Sequence, residues 1–273
     1  MTSMRKPKDV GRREATRTIL YAIGGAALFG CGSEASSSAP SSNPPSPSQD
    51  AGSAANEWAS GGTKSMTAQA AYPDPFATPA ATCLTMTAST LGPCTEAADL
   101  VRKDVSEGSI GLPVRLVLRI VDTACKPIAN AKVKIWHTQV SGSYSGDTPN
   151  PATCLKGSDD ATRHSFRGVQ TTNDDGRVEF DTCFPGWYGG RTIHIHFTIT
   201  VNDKSFTSQL VFDDALVDRI FTSYPEYEGY GLPDTHNTND GVVRGGDLAS
   251  FTLATARMSD GAMLASKQIA MAV

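Results

Sequence analysis

The sequence contains no CxxC pair and no Cys/His grouping at zinc-module spacing, which excludes a structural zinc fold. It has no apolar run long enough to cross a bilayer. The stretch from Ile19 to Phe29 is too short and is interrupted by Gly24 and Gly25. It lacks a basic excess. The 273 residues carry a net −4, and setting aside the +4 of the first 30 leaves the remainder near −8. That balance argues against nucleic acid or an anionic membrane surface as a partner. Helical periodicity is scarce, with Ala97 to Val105 the one short candidate.

What the N-terminus does contain is a basic segment (Arg5, Lys6, Lys8, Arg12, Arg13, Arg17) ahead of the short apolar run, the layout of an export signal over residues 1–30. Leu28-Phe29-Gly30-Cys31 resembles the lipobox of bacterial lipoproteins, whose Cys becomes lipidated. Arg12-Arg13 resembles a twin-arginine signal but continues poorly into Glu14-Ala15-Thr16, so either export route remains open. Residues 31–80 are rich in Ser, Ala, Pro and Gly and are expected to form a disordered tether. Together these features predict an exported protein, lipid-anchored through Cys31 to the bacterial cell envelope at the outer membrane or cell surface. The folded domain is expected over 81–260, with a C-terminal tail over 261–273. Export permits disulfides. Of Cys83, Cys94, Cys125, Cys154 and Cys183, proximity in sequence favours Cys83 with Cys94, and an odd number leaves one unpaired.

Within the domain the dominant signal has period two. Val114, Leu116, Leu118 and Ile120 alternate with Arg115, Val117, Arg119 and Val121; Ala131, Val133 and Ile135 alternate with Lys132 and Lys134. The stretches "GRVEFDT", "TIHIHFTITV", "SFTSQLVF" and "ASFTLATAR" continue the pattern, separated by turn residues such as Asn173 to Gly176 and Asn202-Asp203. The fold class is all-β, a β-sandwich with long irregular loops. In "TIHIHFTITV" the residues Ile193, Ile195, Phe197, Ile199 and Val201 face the core, so His194 and His196 share the opposite face. Two such histidines suit one metal ion; they equally suit a solvated strand face.

Two tyrosines bear on that choice. Tyr188 lies in the Gly-rich turn "PGWYGGRT" just before the histidine strand, and Tyr144 lies in the Gly/Ser loop "HTQVSGSYSG" after Trp136. A set of two phenols and two imidazoles suits a highly charged ion such as Fe(III), because a phenol with a free pKa near ~10 loses its proton only to a strong cation. The stretches "LRIVDTACKPIANAKVKIWHTQVSGSYSG" and "SFRGVQTTNDDGRVEFDTCFPGWYGGRTIHIHF" resemble the intradiol ring-cleavage dioxygenases, the non-haem ferric family that includes protocatechuate 3,4-dioxygenase and catechol 1,2-dioxygenase, and in particular its exported single-domain branch. The resemblance runs from about Leu112 to Phe212, with a weaker lead-in from Cys83.

It implies a β-sandwich, Fe(III) as cofactor, and Tyr144, Tyr188, His194 and His196 as metal ligands, with Tyr188 and His196 axial. It implies catalytic roles for Arg191, Tyr188 and Gln209, and a catechol-type substrate opened by O2 to a cis,cis-muconate-type diacid. Gly92-Pro93-Cys94 stands where the family often has Gly-Pro-Tyr, and Arg163-His164-Ser165-Phe166 replaces the usual lead into Arg-Gly. Asp122, Pro127, Asn130, Gly176 and Phe180 are structural in this reading, and Trp136 and Trp187 are packing residues. His137 is expected at a loop edge, His164 and His236 at the surface, and Tyr224, Tyr227 and Tyr230 in a packed loop. The alternative is a non-catalytic sandwich of the same ancestry, a binding or adhesion module at the cell surface.

Overall fold

The computed structural model describes residues 57–78, 83 and 85–272. The export signal, Cys31 and the tether up to residue 56 lie outside the described residues. The alternating stretches become strands of two four-stranded sheets. The first sheet holds β1 (Pro113–Val121), β4 (Arg177–Cys183), β7 (Ala254–Arg257) and β8 (Met263–Ala270) in the order β4-β1-β8-β7. The second holds β2 (Lys132–Trp136), β3 (Arg167–Thr171), β5 (His194–Val201) and β6 (Lys204–Val211) in the order β3-β2-β5-β6, antiparallel throughout. The core lies between them. Leu116, Leu118 and Ile120 of β1 and Phe180 of β4 meet Val133 and Ile135 of β2 and Ile195, Phe197 and Ile199 of β5, all buried. Asn202 and Asp203 turn β5 into β6 with positive φ at both (48° and 63°), the backbone a two-residue hairpin demands.

Four expectations change. First, residues 57–78 are part of the folded body, not of a tether. Gly62 N–H donates to Gly111 O (2.9 Å), Tyr72 Oη donates to Asp260 (2.8 Å), and Met66 is buried. Tyr72 and Phe76 cover Val117, Met258 and Leu264 on the outer face of the first sheet, and Trp58 packs against the main core. A few large side chains spaced through a Ser/Ala/Pro-rich background anchor this strap, and composition averaged over the segment hides them. Second, residues 261–273 are not a tail. They include β8, which pairs in parallel with β1 from Val114↔Met263 to Val121↔Ala270. Third, Ala97 to Val105 forms no helix; it makes isolated bridges to β3 and β4. Among the described residues the α-helices are α1 (Pro151–Cys154), α2 (Asp214–Ser223) and α3 (Leu248–Phe251), so the first third of "ASFTLATAR" is helical and only Ala254–Arg257 is strand. In α2, Asp213 caps the Leu216 N–H, and Leu216, Val217, Ile220 and Phe221 face the core.

Fourth, the disulfides are Cys83–Cys125 and Cys94–Cys154, with Cys183 a buried free thiol. Cys83 and Cys94 are kept apart because the chain between them runs along β6, where Ser89 N–H donates to Thr207 O and Ser208 Oγ donates to Thr87 O, each 2.8 Å. Proximity in sequence is a poor guide where a segment is extended.

Candidate metal centre

On β5 the side chains alternate as their spacing predicts. Ile195, Phe197 and Ile199 enter the core and His194 and His196 occupy the other face. That face is not wet: His194 is 4 % and His196 2 % exposed. The cover comes from the neighbouring strands and from three loops. The register sets His196 between Trp136 of β2 and Gln209 of β6, with Arg167 of β3 beyond Trp136, so one row crosses the whole sheet. Trp136 stacks on the His196 ring at 4.9 Å and 8°. Above it Gly92 comes so close, at φ +72°, that a Cβ there would sit 3.0 Å from His196 Cε1.

The two tyrosine loops close the remaining side. The Tyr144 N–H donates to Cys154 O (2.8 Å) and Ser145 Oγ donates to Ser165 O (2.6 Å). The Cys94–Cys154 disulfide therefore ties the Gly92 segment to the loop that holds Tyr144. It closes a 60-residue separation, a constraint worth about 4 kcal/mol on chain-entropy grounds. At Gly142 the Tyr144 loop touches the Tyr188 loop; a Cβ there would lie 1.8 Å from Trp187 O, so no side chain fits.

Four donor atoms then meet at one point. Tyr144 Oη and Tyr188 Oη each lie 3.3 Å from His194 Nε2, and His196 Nε2 lies 3.1 Å from it. His194 Nδ1 is 2.6 Å from Thr192 O, and a carbonyl only accepts, so Nδ1 carries the proton and Nε2 presents a lone pair to the cluster. His196 Nδ1 is buried with no hydrogen-bond partner. Burial pushes His194 down to about 3, with the Arg191 charge adding to it, and holds His196 well below the usual histidine range, so both rings are neutral. Burial also raises both phenols, Tyr144 most, while the Arg191 charge works against this at Tyr188.

This donor set fits a single ion of high charge. Donors held at about 2.0–2.1 Å from one first-row ion lie roughly 2.9–3.4 Å apart, the spacing seen here. Two neutral imidazoles offer lone pairs, and two phenols that burial keeps protonated would ionise only for a strong cation.

Arg191 stands beside the cluster. Its Nη2 donates to Gln209 Oε1, which links it to the residue beside His196, and its Nε donates to Asp240 Oδ2 (2.8 Å). All six residues singled out from the sequence are thus brought together: Tyr144, Tyr188, Arg191, His194, His196 and Gln209. Sequence reasoning missed Asp240, Asn237 and Thr192. Thr192 Oγ1 donates to Asn237 Oδ1 (2.8 Å) and Asn237 Nδ2 to Phe212 O (2.7 Å). The loop "DTHNTND" that supplies the first two has no strand or helix period to mark it.

Among the other expectations, His137 is corrected. It is fully buried rather than at a loop edge, bonded to Thr182 Oγ1 (2.7 Å) and Thr138 O (2.8 Å) and stacked on Phe166, with burial pushing it down to about 4. His164 pairs with Glu96 and His236 with Asp218, both partly exposed. Tyr227 is a buried strut, its Oη donating to Phe184 O (2.7 Å) and accepting from Leu112 N–H (3.1 Å).

Comparison with known proteins bears directly on this site. Residues 89–227, half of the chain, match the family model described as Dioxygenase. The solved structure of an intradiol ring-cleavage dioxygenase from Tetranychus urticae is 29% identical, with a TM-score of 0.62 over 70% of this chain and 95% of that one. The dioxygenase domain of a dioxygenase–carbohydrate-binding fusion from Streptomyces sp. SirexAA-E shares the fold at 21% identity, TM-score 0.51, over 69% of this chain and 99% of that one. Catechol 1,2-dioxygenase 1 of Acinetobacter lwoffii is 28% identical over 115 residues, which span 33% of this chain and about a third (34%) of that relative's length. A two-sheet sandwich that matches the dioxygenase model defines the class of the protein. Within it, the chain belongs to the intradiol ring-cleavage dioxygenase family.

Proposed function

We propose that this protein cleaves a catechol between its two hydroxyl-bearing carbons, consuming one O2 per ring and placing both oxygen atoms in a cis,cis-muconate-type diacid. The observation that carries this reading is the meeting of Tyr144, Tyr188 and His196 on His194 Nε2 within 3.3 Å. Fe(III) held by these four residues would supply Lewis acidity and a template for both catechol oxygens.

The remaining work falls to the chain. Tyr188 is the less buried of the two tyrosines, and as the phenolate that a bound ferric ion would favour it would be the better placed to accept a proton from an arriving catechol. Arg191 brings a fixed cation to a water-poor site, where it stabilises negative charge on the ring. Gln209 holds one arm of that guanidinium, and Trp136 and Gly92 keep water from the His196 side. Three large apolar side chains are exposed on the two loops beside the site: Leu91 next to Gly92, and Tyr230 and Leu232 on either side of Gly231, whose carbonyl accepts from Trp187 Nε1 (3.0 Å). They support an uncharged or apolar-substituted ring as substrate.

The test loads purified protein with ferric iron and follows oxygen uptake across a catechol panel. The expected result is a red-brown protein with a broad tyrosinate charge-transfer band and a 1:1 ratio of O2 to catechol. A folded protein that stays colourless and takes up no oxygen returns the reading to a binding module.

We infer further that the enzyme acts outside the cytoplasm, lipid-anchored at Cys31, on the strength of the export-signal and lipobox pattern. Fractionated cells should hold the protein in the membrane pellet, and Cys31→Ala should release it. Retention of that variant in the pellet would rule the anchor out.

A further inference from the structure

Asp240 is completely buried, yet it is a carboxylate outside the ligand set. Its two oxygens face in two directions. Oδ1 accepts from Val242 N–H (2.8 Å) and Val243 N–H (3.2 Å), closing the local turn. Oδ2 accepts from Arg191 Nε (2.8 Å) and Thr192 N–H (2.9 Å). Arg191 directly follows Gly189 and Gly190, the latter at φ +79°. A long guanidinium side chain in such a place has many rotamers, and a planar fork is oriented only when its edges are bound. Asp240 takes Nε–H, Gln209 takes Nη2, and Nη1 is used by neither.

We propose that Asp240 is a positioning residue for the ring-cleavage reaction: it sets the plane and reach of Arg191, so that the guanidinium faces the substrate and not solvent. This rests on the proposed function for its kinetic consequence, but the contact itself can be read without turnover. Asp240→Asn separates the two halves of the carboxylate. With its oxygen kept by the Val242 and Val243 N–H groups, the new amide NH2 faces Arg191 Nε–H and Thr192 N–H, donor against donor.

The experiment has two arms, both on the full chain. In the iron-free protein labelled with 15N, the Arg191 Nε–H resonance is identified by its loss in Arg191→Gln. A buried, carboxylate-bound Nε–H should stand apart from the exposed arginines and exchange slowly, and in Asp240→Asn it should merge with them. In the iron-loaded protein, Asp240→Asn should lower kcat about 10–100-fold, the usual effect of an outer partner of a metal site, with iron content and band intensity unchanged. Placed on Arg191→Gln, Asp240→Asn should cost less than a further twofold, because both changes act through one side chain.

Persistence of the resonance in Asp240→Asn, or losses that multiply in the double variant, would overturn the proposal. Should Asp240→Asn not fold, Asp240→Ser keeps an acceptor for the Val242 N–H and is read in the same way. If the wild-type protein turns over no catechol, the proposed function falls, and the resonance alone decides whether Asp240 sets Arg191.

Discussion

His196→Ala is expected to give a folded, colourless protein that binds no stoichiometric iron and turns over catechol at least 1000-fold more slowly, a rise of about 4 kcal/mol in the barrier. The size follows from where the ring sits. His196 occupies the middle of the Arg167–Trp136–His196–Gln209 row and is buried there, so its loss takes one of four donors from the cluster. The stability cost is much smaller. Nδ1 has no hydrogen bond to lose, and the stacking on Trp136 is worth about 0.5–1.5 kcal/mol. Unfolding followed by circular dichroism should therefore shift by a few degrees only, while bound iron falls to background. One tightly bound iron per chain and an unchanged visible band in this variant would remove His196 from the ligand set.

Arg191→Gln should do the reverse: iron and colour retained, KM little changed, and kcat lowered about 100–1000-fold. That range is the usual loss when one preorganised donor to a developing negative charge is removed, about 2.7–4 kcal/mol. The substitution leaves Asp240 buried without its cation, so some stability is lost as well. Steady-state kinetics beside an iron assay separate the two effects. A kcat within tenfold of wild type would mean that Arg191 is there for structure and not for the reaction.

The site was more readable in the sequence than the fold around it, for a physical reason. His194 and His196 lie two apart on a strand, Tyr188 lies six before His194, and strand parity carries the pair to one face. Those are local relations that a one-dimensional pattern preserves. Tyr144 was found through its Gly/Ser loop, and Gln209 only through resemblance, since its place beside His196 depends on the β5–β6 register. What escaped was non-local or compositionally bland. Asp240 acts 49 positions from Arg191. The β8 strand reads "MLASKQIA", with too few branched residues to advertise itself, and its place is decided by β1. The strap over 57–78 depends on four anchors, Trp58, Met66, Tyr72 and Phe76, in a stretch whose average composition resembles a linker. The histidines' burial also lay beyond parity, which assigns a face but not what covers it.

The parallel pairing of β1 with β8 has a consequence for how the chain is made. β1 is complete by residue 121, yet its partner on one side is the segment 263–270. Any nascent chain shorter than about that length presents a central strand with an open edge and unpaired backbone donors, a template for aggregation. The sheet can close only once residues 263–270 have been made and have left the ribosome, an interval that a holding chaperone has time to guard. For the same reason a reporter joined directly after Met271 would abut Ala270 and Met271, both buried, and needs a spacer before it.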